Sequence, residues 1–513
     1  MGDDPTIEGS TDDQSASRET EVLAARRESL RRLREAGIPP FGLNFAIDSH
    51  AADLQAAFPQ GELAAGEESA RRAAVAGRVV LARRHGQLTF LVIRDRTGDL
   101  QLFCERSTLD DDGYALLEEI DLGDIIGATG NVVRTKRGEL SLKADTLTML
   151  TKALRPLPEK WHGLKDPDLQ QRRRYLHLIV DEAPRRYALA RAIILKTLRS
   201  ELDARDYMEF EGPMLQLVAG GANARAFTTH HNALDIEMKL RISLELYLKR
   251  MLVGGFERVF EIGRNFRNEG MDRDHNPEFT MLEAYEAYGD YNSMMDLTQD
   301  LVVACARAVN PIAGRDAETL VVVYRGTDID LAPPFARVTI LESVSKATGE
   351  EITLERPDLR RLAEARGIVL DDGWGPGKIV QEMFEKLVEG TLERPTFVCD
   401  FPREVSPLAR PHRQDLGLTE HFDLVVGGLE LVTAFSELTD PDEQRAKFQD
   451  QMRAREAGDE EAHPLDEDFL LALEHGMPPA GGLGLGVDRL LMLLTDAPSL
   501  RDVILFPHNR PES

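Results

Sequence analysis

The chain has 513 residues, of which 42% are hydrophobic, and its formal net charge is −27 at pH 7. This length is sufficient for two or three domains with separate cores, and the composition fits a soluble globular protein. The acidic balance argues against a general nucleic-acid binder, because phosphate contacts require lysine and arginine, although local basic clusters such as RRESLRRLRE and QQRRRYLH remain.

The three cysteines, Cys104, Cys305 and Cys399, lie far apart and form no C-x-x-C pair. This spacing favours a reducing compartment and argues against a disulfide framework or a zinc site. We expect no membrane-spanning segment, because no apolar run approaches the required length, and no signal peptide, because no charged-then-apolar stretch begins the chain. A cytoplasmic protein is therefore predicted.

The N-terminal part of the chain predicts a helix followed by a β-barrel. Residues 1–18 are acidic and polar, which predicts a disordered tail. Residues 20–36 have a helical pattern, and Gly37 is a stop signal. From Ala74 the pattern changes to about five short strands broken by HGQ and TGD turns. Such a run predicts a small barrel, most naturally a five-stranded OB-fold, within a domain of residues 19–152.

A proline-rich stretch, residues 153–182, is predicted to link this domain to a second one, residues 183–513. The second domain begins with a long helix, predicted from Pro184 to Arg205, and a short strand that ends at Pro213. Further along the chain, a strand is predicted at residues 320–324, and an insertion of helical character follows it.

The stretch AGGANARAF, residues 219–227, contains two adjacent glycines, which indicate a tight turn or a close approach of the backbone to a ligand. The following LRISLELYLKRMLVGG predicts a strand and a short helix with Glu245 in its first turn. A glutamate is favourable at a helix start by itself, because it lies near the positive end of the helix dipole. From the residues alone, Glu245 is either such a cap or a ligand-binding carboxylate.

Residues 256–288, FERVFEIGRNFRNEGMDRDHNPEFTMLEAYEAY, predict two antiparallel strands joined by a loop. Alternation at period two places Phe260, Ile262 and Phe266 on a core face. The opposite face collects charged and aromatic side chains from both strands, namely Glu261, Arg267, Glu269, Phe279, Glu283 and Tyr285. Half-buried strands normally keep their charges on a solvated side, so this hairpin is predicted to bind a ligand.

The C-terminal part predicts two further strands in TEHFDLVVGGLELVTAFSELTD, with Asp423 and Glu430 on either side of the turn. In the second strand, Thr433, Phe435 and Glu437 alternate onto one face. GGLGLGVDRLLMLL predicts a glycine-rich strand that continues into a helix near Arg489. There, backbone N–H groups and a guanidinium can bind a phosphate together.

These motifs resemble those of the class II aminoacyl-tRNA synthetases. FRNE, a loop and an EF strand resemble motif 2, and GGFERVFEIGRNFRNEG with HNPEFTMLEAY is similar to the bacterial lysyl-tRNA synthetases. The helix, strand and Pro213 resemble motif 1, although Asp206-Tyr207 replaces the usual Gly-Phe and Gly212 replaces the usual threonine. The C-terminal glycine strand and helix resemble motif 3. The resemblance covers roughly residues 20–510.

The resemblance implies an α+β chain: an N-terminal OB-fold barrel that binds the anticodon, followed by a class II catalytic domain built on an antiparallel sheet flanked by helices. It implies a lysine–tRNA ligase that activates L-lysine with ATP to lysyl-adenylate and transfers lysine to the 3′ end of tRNA(Lys). Magnesium as cofactor, ATP as substrate, a homodimer and no membrane association are also implied.

The resemblance further implies roles for individual residues. The ATP-binding residues are Arg267, Glu269, His275, Phe279 and Arg489, of which Arg267 and Arg489 are also catalytic. The lysine-binding residues are Gly220, Glu245, Glu283, Tyr285, Thr433, Phe435 and Glu437. The magnesium ligands are Asp423 and Glu430, with Asp423 as a shorter substitute for the usual glutamate. The anticodon-binding residues are Phe90, Gln101 and Glu139; without the resemblance, the pattern favours Phe90 as a core residue and the other two as surface residues.

The three glutamates around one pocket suit a substrate that has a second amine at the end of an aliphatic chain, because charge-assisted hydrogen bonds are strong. Thr433 departs from the lysyl pattern E-x-x-N-x-[FY]-[ST]-E, which has asparagine there. This departure leaves open a paralogue that activates a lysine analogue. A paralogue that lysylates an acceptor other than tRNA is a second alternative, and the N-terminal barrel and the absence of a predicted membrane span argue against it. A non-catalytic tRNA or amino-acid sensor is a further alternative, and the intact set of ATP-binding residues argues against it.

Overall fold

The computed structural model describes residues 11–158, 164–456 and 463–511, and the chain divides into two compact units, Met1–Gly163 and Leu164–Ser513. The division lies inside the predicted linker of residues 153–182. Two short helices occupy the second half of that stretch, and the buried Arg174 donates to the carbonyls of Leu505 (3.1 Å) and Arg501 (2.8 Å). Residues 164–182 therefore belong to the C-terminal unit, and the linker is shorter than predicted.

The N-terminal unit is a five-stranded barrel with three helices. Its elements are α1 (Thr11–Glu35), α2 (Ala51–Ala57), β1 (Glu68–His85), β2 (Leu88–Arg94), β3 (Asp99–Glu105), α3 (Asp111–Glu119), β4 (Ile125–Arg134) and β5 (Leu140–Thr151). The strands close in the order β1-β2-β3-β5-β4, which confirms the predicted OB-fold. Helix α1 begins at Thr11, earlier than predicted, and residues 1–10 of the predicted disordered tail lie outside the described residues.

Side chains alternate between the two faces of the barrel strands, as period two requires. Leu91, Ile93 and Leu102 fill the interior and are at most 1% exposed. Their neighbours Phe90 and Gln101 therefore lie on the outer face, where both are partly exposed. The apolar half of each strand thus forms the core, and the other half is available to a ligand.

The C-terminal unit is an α+β domain. Its elements are α4 (Pro167–Arg172), α5 (Arg174–Val180), α6 (Glu182–Asp203), β6 (Met208–Glu209), β7 (Leu215–Gln216), β8 (Thr228–His231), β9 (Ile236–Leu240), α7 (Glu245–Val253), β10 (Arg258–Phe266), β11 (Glu278–Ala287), α8 (Tyr291–Val309), β12 (Val321–Tyr324), β13 (Thr327–Asp330), β14 (Ala336–Thr339), α9 (Ile340–Thr348), α10 (Leu359–Glu364), α11 (Pro376–Leu387), β15 (Thr396–Cys399), β16 (His421–Val426), β17 (Leu429–Ser436), α12 (Pro441–Glu456), α13 (Glu467–Glu474), β18 (Ala480–Gly486), α14 (Val487–Thr495) and α15 (Leu500–Val503).

An eight-stranded sheet organises this unit, in the order β14-β15-β16-β17-β18-β11-β10-β6. Its strands pair antiparallel except at the two edges, where β14 runs parallel to β15 and β6 runs parallel to β10. The main hydrophobic core joins the sheet to α6, α8 and α14 and includes Ile194, Leu301 and Leu490, all fully buried. Because these helices cover one face of the sheet, the other face is available for a site.

The predicted long helix corresponds to α6, but the strand after it is only two residues long, Met208–Glu209. Asp206, which stands where the resemblance has glycine, has a φ of 61°. This left-handed conformation costs a residue with a Cβ more than it costs glycine, which accounts for the usual glycine at this position.

Cys104, Cys305 and Cys399 are all buried and unbridged. Across the part of the chain that the structure describes, no helix combines the length and the apolar character needed to cross a bilayer.

Candidate active site

The predicted hairpin forms as β10 and β11, which pair antiparallel with Glu261 opposite Glu283. From β11 the sheet continues through β18 to β17 and β16. Glu283, Gly484, Thr433 and Asp423 therefore lie in one row across four strands. Because neighbouring strands are about 4.8 Å apart, the row brings residues that are distant in sequence within reach of one ligand.

A second row consists of Tyr285, Gly482, Phe435 and His421. In this row, Gly482 lies between Tyr285 and Phe435. A Cβ at this position would lie 2.0 Å from Glu437 Oε1 and 2.4 Å from Tyr285 Cε1. The glycine strand β18 therefore forms the floor of a pocket whose sides are β11 and β17.

Three carboxylates meet in this pocket, because Glu245, Glu283 and Glu437 are each at most 5% exposed. Glu283 accepts hydrogen bonds from Ser243 Oγ (2.9 Å), the Leu244 N–H (2.9 Å) and the Tyr285 hydroxyl (3.0 Å). Burial, with the nearby Glu245 carboxylate, raises the pKa of Glu283 to about 7. A carboxylate so far from its usual pKa binds a cation readily, since the cation restores the ionised form.

A buried lysine accompanies the three acids. Lys249 Nζ lies 2.6 Å from Glu245 Oε1 and also contacts Glu437 Oε2. Its own pKa is raised, because the two carboxylates outweigh the effect of burial. Burial also raises the pKa of Glu437 to about 8, and its Oε1 has no hydrogen-bond partner among the described residues. With all four groups ionised, three negative charges and one positive charge leave the pocket at −2.

Lys249 was not predicted from the sequence as a site residue. Its position four residues after Glu245 on α7 was the available signal, because residues at i and i+4 share one helix face. The same helix start packs against the predicted glycine loop: a Cβ at Gly220 would lie 2.9 Å from Leu246 Cδ1. At the adjacent Gly221, a Cβ would lie 3.2 Å from Glu245 Cβ, so the glycine loop packs closely against the start of α7.

Arg267 lies at the end of β10, beside the pocket. Its Cζ is 5.0 Å from the centroid of the Phe279 ring, and its Nε donates to the Ile242 carbonyl (3.5 Å). Burial lowers the pKa of Arg267, whereas the Glu269 and Glu283 carboxylates oppose this shift. The structure thus brings Arg267, Glu269 and Phe279 together at the rim of the acidic pocket.

Arg489 lies in the first turn of α14, next to the metal-binding candidates. Its Nη1 donates to the Glu430 carbonyl (2.8 Å) and lies 3.5 Å from Glu430 Oε1. The preceding Asp488 is buried, accepts from the Thr280 N–H (2.7 Å) and contacts Arg191, which fixes this helix start to β11 and α6. Arg489 is therefore held by a rigid turn.

His275 is different from the other predicted ATP-binding residues. It lies in the loop between β10 and β11, its side chain is 53% exposed, and its Nδ1 is 2.9 Å from Asp272 Oδ2. Within the described chain, no contact joins its ring to Arg267 or Arg489. Its role in ATP binding stays a prediction.

Asp423 and Glu430 lie on adjacent strands, β16 and β17, that meet at the Gly427-Gly428 turn. Burial and repulsion by Asp423 raise the pKa of Glu430, and the guanidinium of Arg489 opposes the shift. Two carboxylates that repel each other offer the oxygen ligands that magnesium prefers. Among the described residues, however, no group of three or more histidine, cysteine, aspartate or glutamate side chains could hold a metal ion, so magnesium binding by this pair stays a prediction.

A third acid, Glu389, lies near this pair. Burial raises its pKa to about 7, and the carboxylates of Glu430, Glu385 and Asp423 add to the shift. Glu389 belongs to a single turn of 3-10 helix within the predicted insertion, Glu389–Thr391. Glu389 was not predicted from the sequence, because this turn carries no motif.

His421 was also missed, although it precedes Asp423 by two residues on the same strand face. Its Nε2 lies 3.1 Å from Asp423 Oδ1 and 3.0 Å from Thr433 Oγ1, and its Nδ1 lies 2.8 Å from Ser406 Oγ. The ring stacks on Phe401, with centroids 4.0 Å apart. His421 thus joins a metal-binding candidate to a lysine-binding candidate.

The predicted anticodon residues form a separate site on the barrel. Phe90, Gln101 and Glu139 line one cleft of about 870 Å³. The Phe90 ring lies 5.5 Å from the Phe103 ring, and Gln101 Nε2 donates to Ser141 Oγ (2.8 Å). Basic side chains line the same cleft: Arg83, His85, Lys136, Arg137 and Lys143.

Both units of the chain match known protein families. Residues 166–510 match the family described as tRNA synthetases class II (D, K and N), and residues 73–150 match the OB-fold nucleic acid binding domain. Three similar proteins are the lysine–tRNA ligases of Moorella thermoacetica (49% identical over 96% of this chain and 99% of that protein), Carboxydothermus hydrogenoformans (47%; 96% and 98%) and Thioalkalivibrio sulfidiphilus (46%; 98% and 100%).

Proposed function

This chain belongs to the class II tRNA synthetases, among the lysine–tRNA ligases, and on that premise we propose the roles of its individual residues. It activates L-lysine with ATP and transfers lysine to tRNA. The observation that carries the assignment of lysine is the buried acidic pocket, with Glu245, Glu283 and Glu437 around one internal cation, Lys249.

The charge of the pocket matches the substrate. Free lysine carries two ammonium groups, and the three glutamates with Lys249 carry a formal charge of −2 when ionised. Glu245 beside the Gly220 backbone receives the α-amine, and Glu283 with Glu437 receives the ε-amine. An unpaired buried charge is unfavourable, so amino acids without a second amine leave a carboxylate unpaired and bind weakly.

The first reaction step requires positioning more than proton transfer. The lysine carboxylate attacks the α-phosphorus of ATP, forming lysyl-adenylate and releasing pyrophosphate. Arg267 bridges the substrate carboxylate and the α-phosphate, because its guanidinium lies at the rim of the lysine pocket. The Phe279 ring, whose centroid is 5.0 Å from Arg267 Cζ, stacks on the adenine. Fixed donors of this kind stabilise developing charge without reorganisation.

In the second step, a ribose hydroxyl of the terminal adenosine of tRNA attacks the acyl carbon, and AMP leaves. Arg489 and Glu269 hold the nucleotide during both steps, and His275 contacts the phosphates from its loop. Asp423 and Glu430 hold magnesium, which neutralises phosphate charge when it is bound. Thr433 and Phe435 complete the lysine site, with the Thr433 hydroxyl near the substrate carboxylate.

The remaining proposals concern the partners. In the barrel cleft, Phe90 stacks an unpaired anticodon base of tRNA(Lys), and Gln101 and Glu139 recognise base edges. The chain acts as a cytoplasmic homodimer, and α6 with the edge strand β6 forms the interface. The partly exposed Met208 on that strand, 46% accessible, supports this choice of surface.

ATP–pyrophosphate exchange with each amino acid supplied singly, in the presence of magnesium and without tRNA, tests the proposal. We expect exchange with lysine alone. Exchange with a lysine analogue but not with lysine would contradict the assignment of the pocket, and exchange with no amino acid would contradict the proposed roles of the whole set of residues.

A further inference from the structure

We propose that His421 is a positioning residue for the amino-acid substrate. Its Nε2–H group donates to Thr433 Oγ1 and thereby directs the single hydroxyl proton of Thr433 towards the substrate carboxylate. This inference rests on the proposed role of Thr433 and extends it to a residue that makes no contact of its own with the substrate.

The hydrogen-bond partners of His421 define its tautomer. Nε2 lies 3.1 Å from Asp423 Oδ1, and an ionised carboxylate only accepts hydrogen bonds, so Nε2 carries the proton. In a neutral imidazole, Nδ1 is then an acceptor, and the Ser406 hydroxyl at 2.8 Å is its donor. Both ring nitrogens are thus satisfied in one orientation.

The same proton determines what the Thr433 hydroxyl can do. Thr433 Oγ1 lies 3.0 Å from Nε2, so it accepts part of a bifurcated bond from the imidazole. A threonine hydroxyl has one proton, which is donated either inward to a neighbouring acceptor or outward to a ligand. Because Nε2 presents a proton and no lone pair, it cannot accept the Thr433 proton, which is therefore available to an anionic ligand in the pocket.

Packing keeps the imidazole in this position. The ring is 8% exposed, stacks on Phe401 at 4.0 Å and meets the Phe435 ring at 4.6 Å. The segment that carries Ser406 is itself anchored, because Lys447 Nζ donates to the Ser406 carbonyl (3.1 Å). The donor is therefore rigid, as positioning within a binding site requires.

This arrangement explains how Thr433 can bind the substrate carboxylate at a position where the lysyl pattern has asparagine. An asparagine amide has two protons and a longer reach, so it binds a carboxylate without help. Thr433 has a single proton and a shorter side chain, and it depends on a neighbour to orient that proton. His421, on the adjacent strand, is that neighbour.

Two substitutions distinguish the role of the Nε2–H donor of His421 from that of the rest of its imidazole ring. Glutamine at position 421 carries an amide nitrogen near the position of Nε2, whereas asparagine carries one near Nδ1. The test is calorimetric titration of the full-length protein with lysine, without ATP or magnesium. We expect His421→Asn to weaken lysine binding about tenfold, the scale of one charge-assisted hydrogen bond, and His421→Gln to restore most of that loss.

A double-mutant cycle tests whether His421 acts through Thr433. Thr433→Val alone is expected to weaken lysine binding about tenfold. Adding His421→Asn to Thr433→Val is expected to change it by no more than about twofold. Equal losses from His421→Asn in both backgrounds would overturn the inference. In steady-state exchange, the KM for lysine is expected to rise in His421→Asn and to be largely restored in His421→Gln.

The cycle also separates this inference from the proposed site. If Thr433→Val does not alter lysine binding, the proposed role of Thr433 fails, and the inference fails with it. If Thr433→Val weakens binding while both His421 variants bind lysine normally, only the inference is overturned.

Long-range ¹⁵N NMR of the histidine-labelled wild-type chain is a measurement that does not depend on the folding of His421→Asn. The signal that disappears in His421→Gln identifies the residue. The Nε2–H tautomer is expected, and a proton on Nδ1 would overturn the inference.

Discussion

The barrel cleft and the sheet pocket are both lined by polar side chains, yet the two sites differ in how water reaches them. In the cleft, Glu139 is exposed and Phe90 and Gln101 are partly exposed. In the pocket, Glu283 and Glu437 are at most 4% exposed, and burial raises the pKa of both.

The difference follows from the size and charge of the proposed ligands. An unpaired base presents a broad face, and a ring such as Phe90 must be accessible to stack on it. A small substrate with two ammonium groups is discriminated by charge, and charges interact more strongly where water is excluded. The open site is therefore suited to stacking and the closed site to electrostatic selection.

The strongest test of the closed site removes its internal cation. Lys249→Met leaves Glu245 and Glu437 buried without their partner, and breaking a buried pair in this way costs about 3–5 kcal/mol. We expect the unfolding free energy of the C-terminal unit, measured by urea titration, to fall by that amount. Lys346→Met, at an exposed position of α9, is the control, and equal losses in the two variants would contradict the counter-ion role of Lys249.

Arg267 tests the electrostatics at the rim of the pocket. Arg267→Ala is expected to lower the rate of ATP–pyrophosphate exchange at least about a hundredfold, the scale of losing one preorganised donor. Arg264→Ala is the matched control, since Arg264 lies on the same strand and pairs with Glu278 at 3.5 Å outside the pocket. Near-normal exchange in Arg267→Ala would show that its guanidinium does not take part in adenylation.

Phe90 tests the open site. Phe90→Ala is expected to raise the KM for tRNA by the equivalent of about 1–3 kcal/mol, because stacking on one base contributes that much. The exposed Leu122, on the same unit but outside the cleft, provides the control Leu122→Ala. Aminoacylation at several tRNA concentrations measures the effect, and identical KM values for the two variants would contradict the stacking role.

The pH dependence of lysine binding tests the closed site. Burial raises the pKa of Glu283 to about 7 and that of Glu437 to about 8, so raising the pH through this range ionises both and strengthens lysine binding. Below the pKa of such an acid, the gain approaches about tenfold per pH unit for each group. Calorimetry at several pH values measures the affinity, and a flat profile would contradict the role of these carboxylates.

The same two groups affect stability with the opposite sign. Between their usual pKa of 4.5 and the raised values near 7 and 8, the folded chain without lysine binds more protons than the unfolded chain. The unfolding free energy therefore decreases as the pH rises through this window. Urea titration at several pH values, without lysine, measures this slope.

Periodic patterns predicted most of the fold. Alternation in sequence was sufficient for the barrel strands and for the parity of β10 and β11, because each strand face is defined by its immediate neighbours. The pattern also placed Glu261 on the ligand face, whereas the structure pairs it with Arg241 (2.6 Å) and the Gly212 N–H (2.7 Å). Periodicity identifies a face, but it does not distinguish a structural ion pair from a binding group.

The residues that the sequence analysis missed depend on contacts between distant segments. His421 gains its role from the register between β16 and β17, and Lys249 gains its role from Glu437, which lies far along the chain. Glu389 reaches the acidic pair from a single helical turn. Such contacts follow from tertiary packing and have no local periodicity, whereas the motif residues were found through the family resemblance.

The glycine floor also restricts how this pocket can change. Gly482 has no space for a methyl group, because both Glu437 and the Tyr285 ring occupy the volume that its Cβ would need. Any substitution at Gly482 therefore fills part of the pocket and does not create specificity for another amino acid. An evolutionary path towards a new substrate must instead begin at the sides, where Tyr285, Thr433 and Phe435 differ in size and polarity and can be exchanged one at a time.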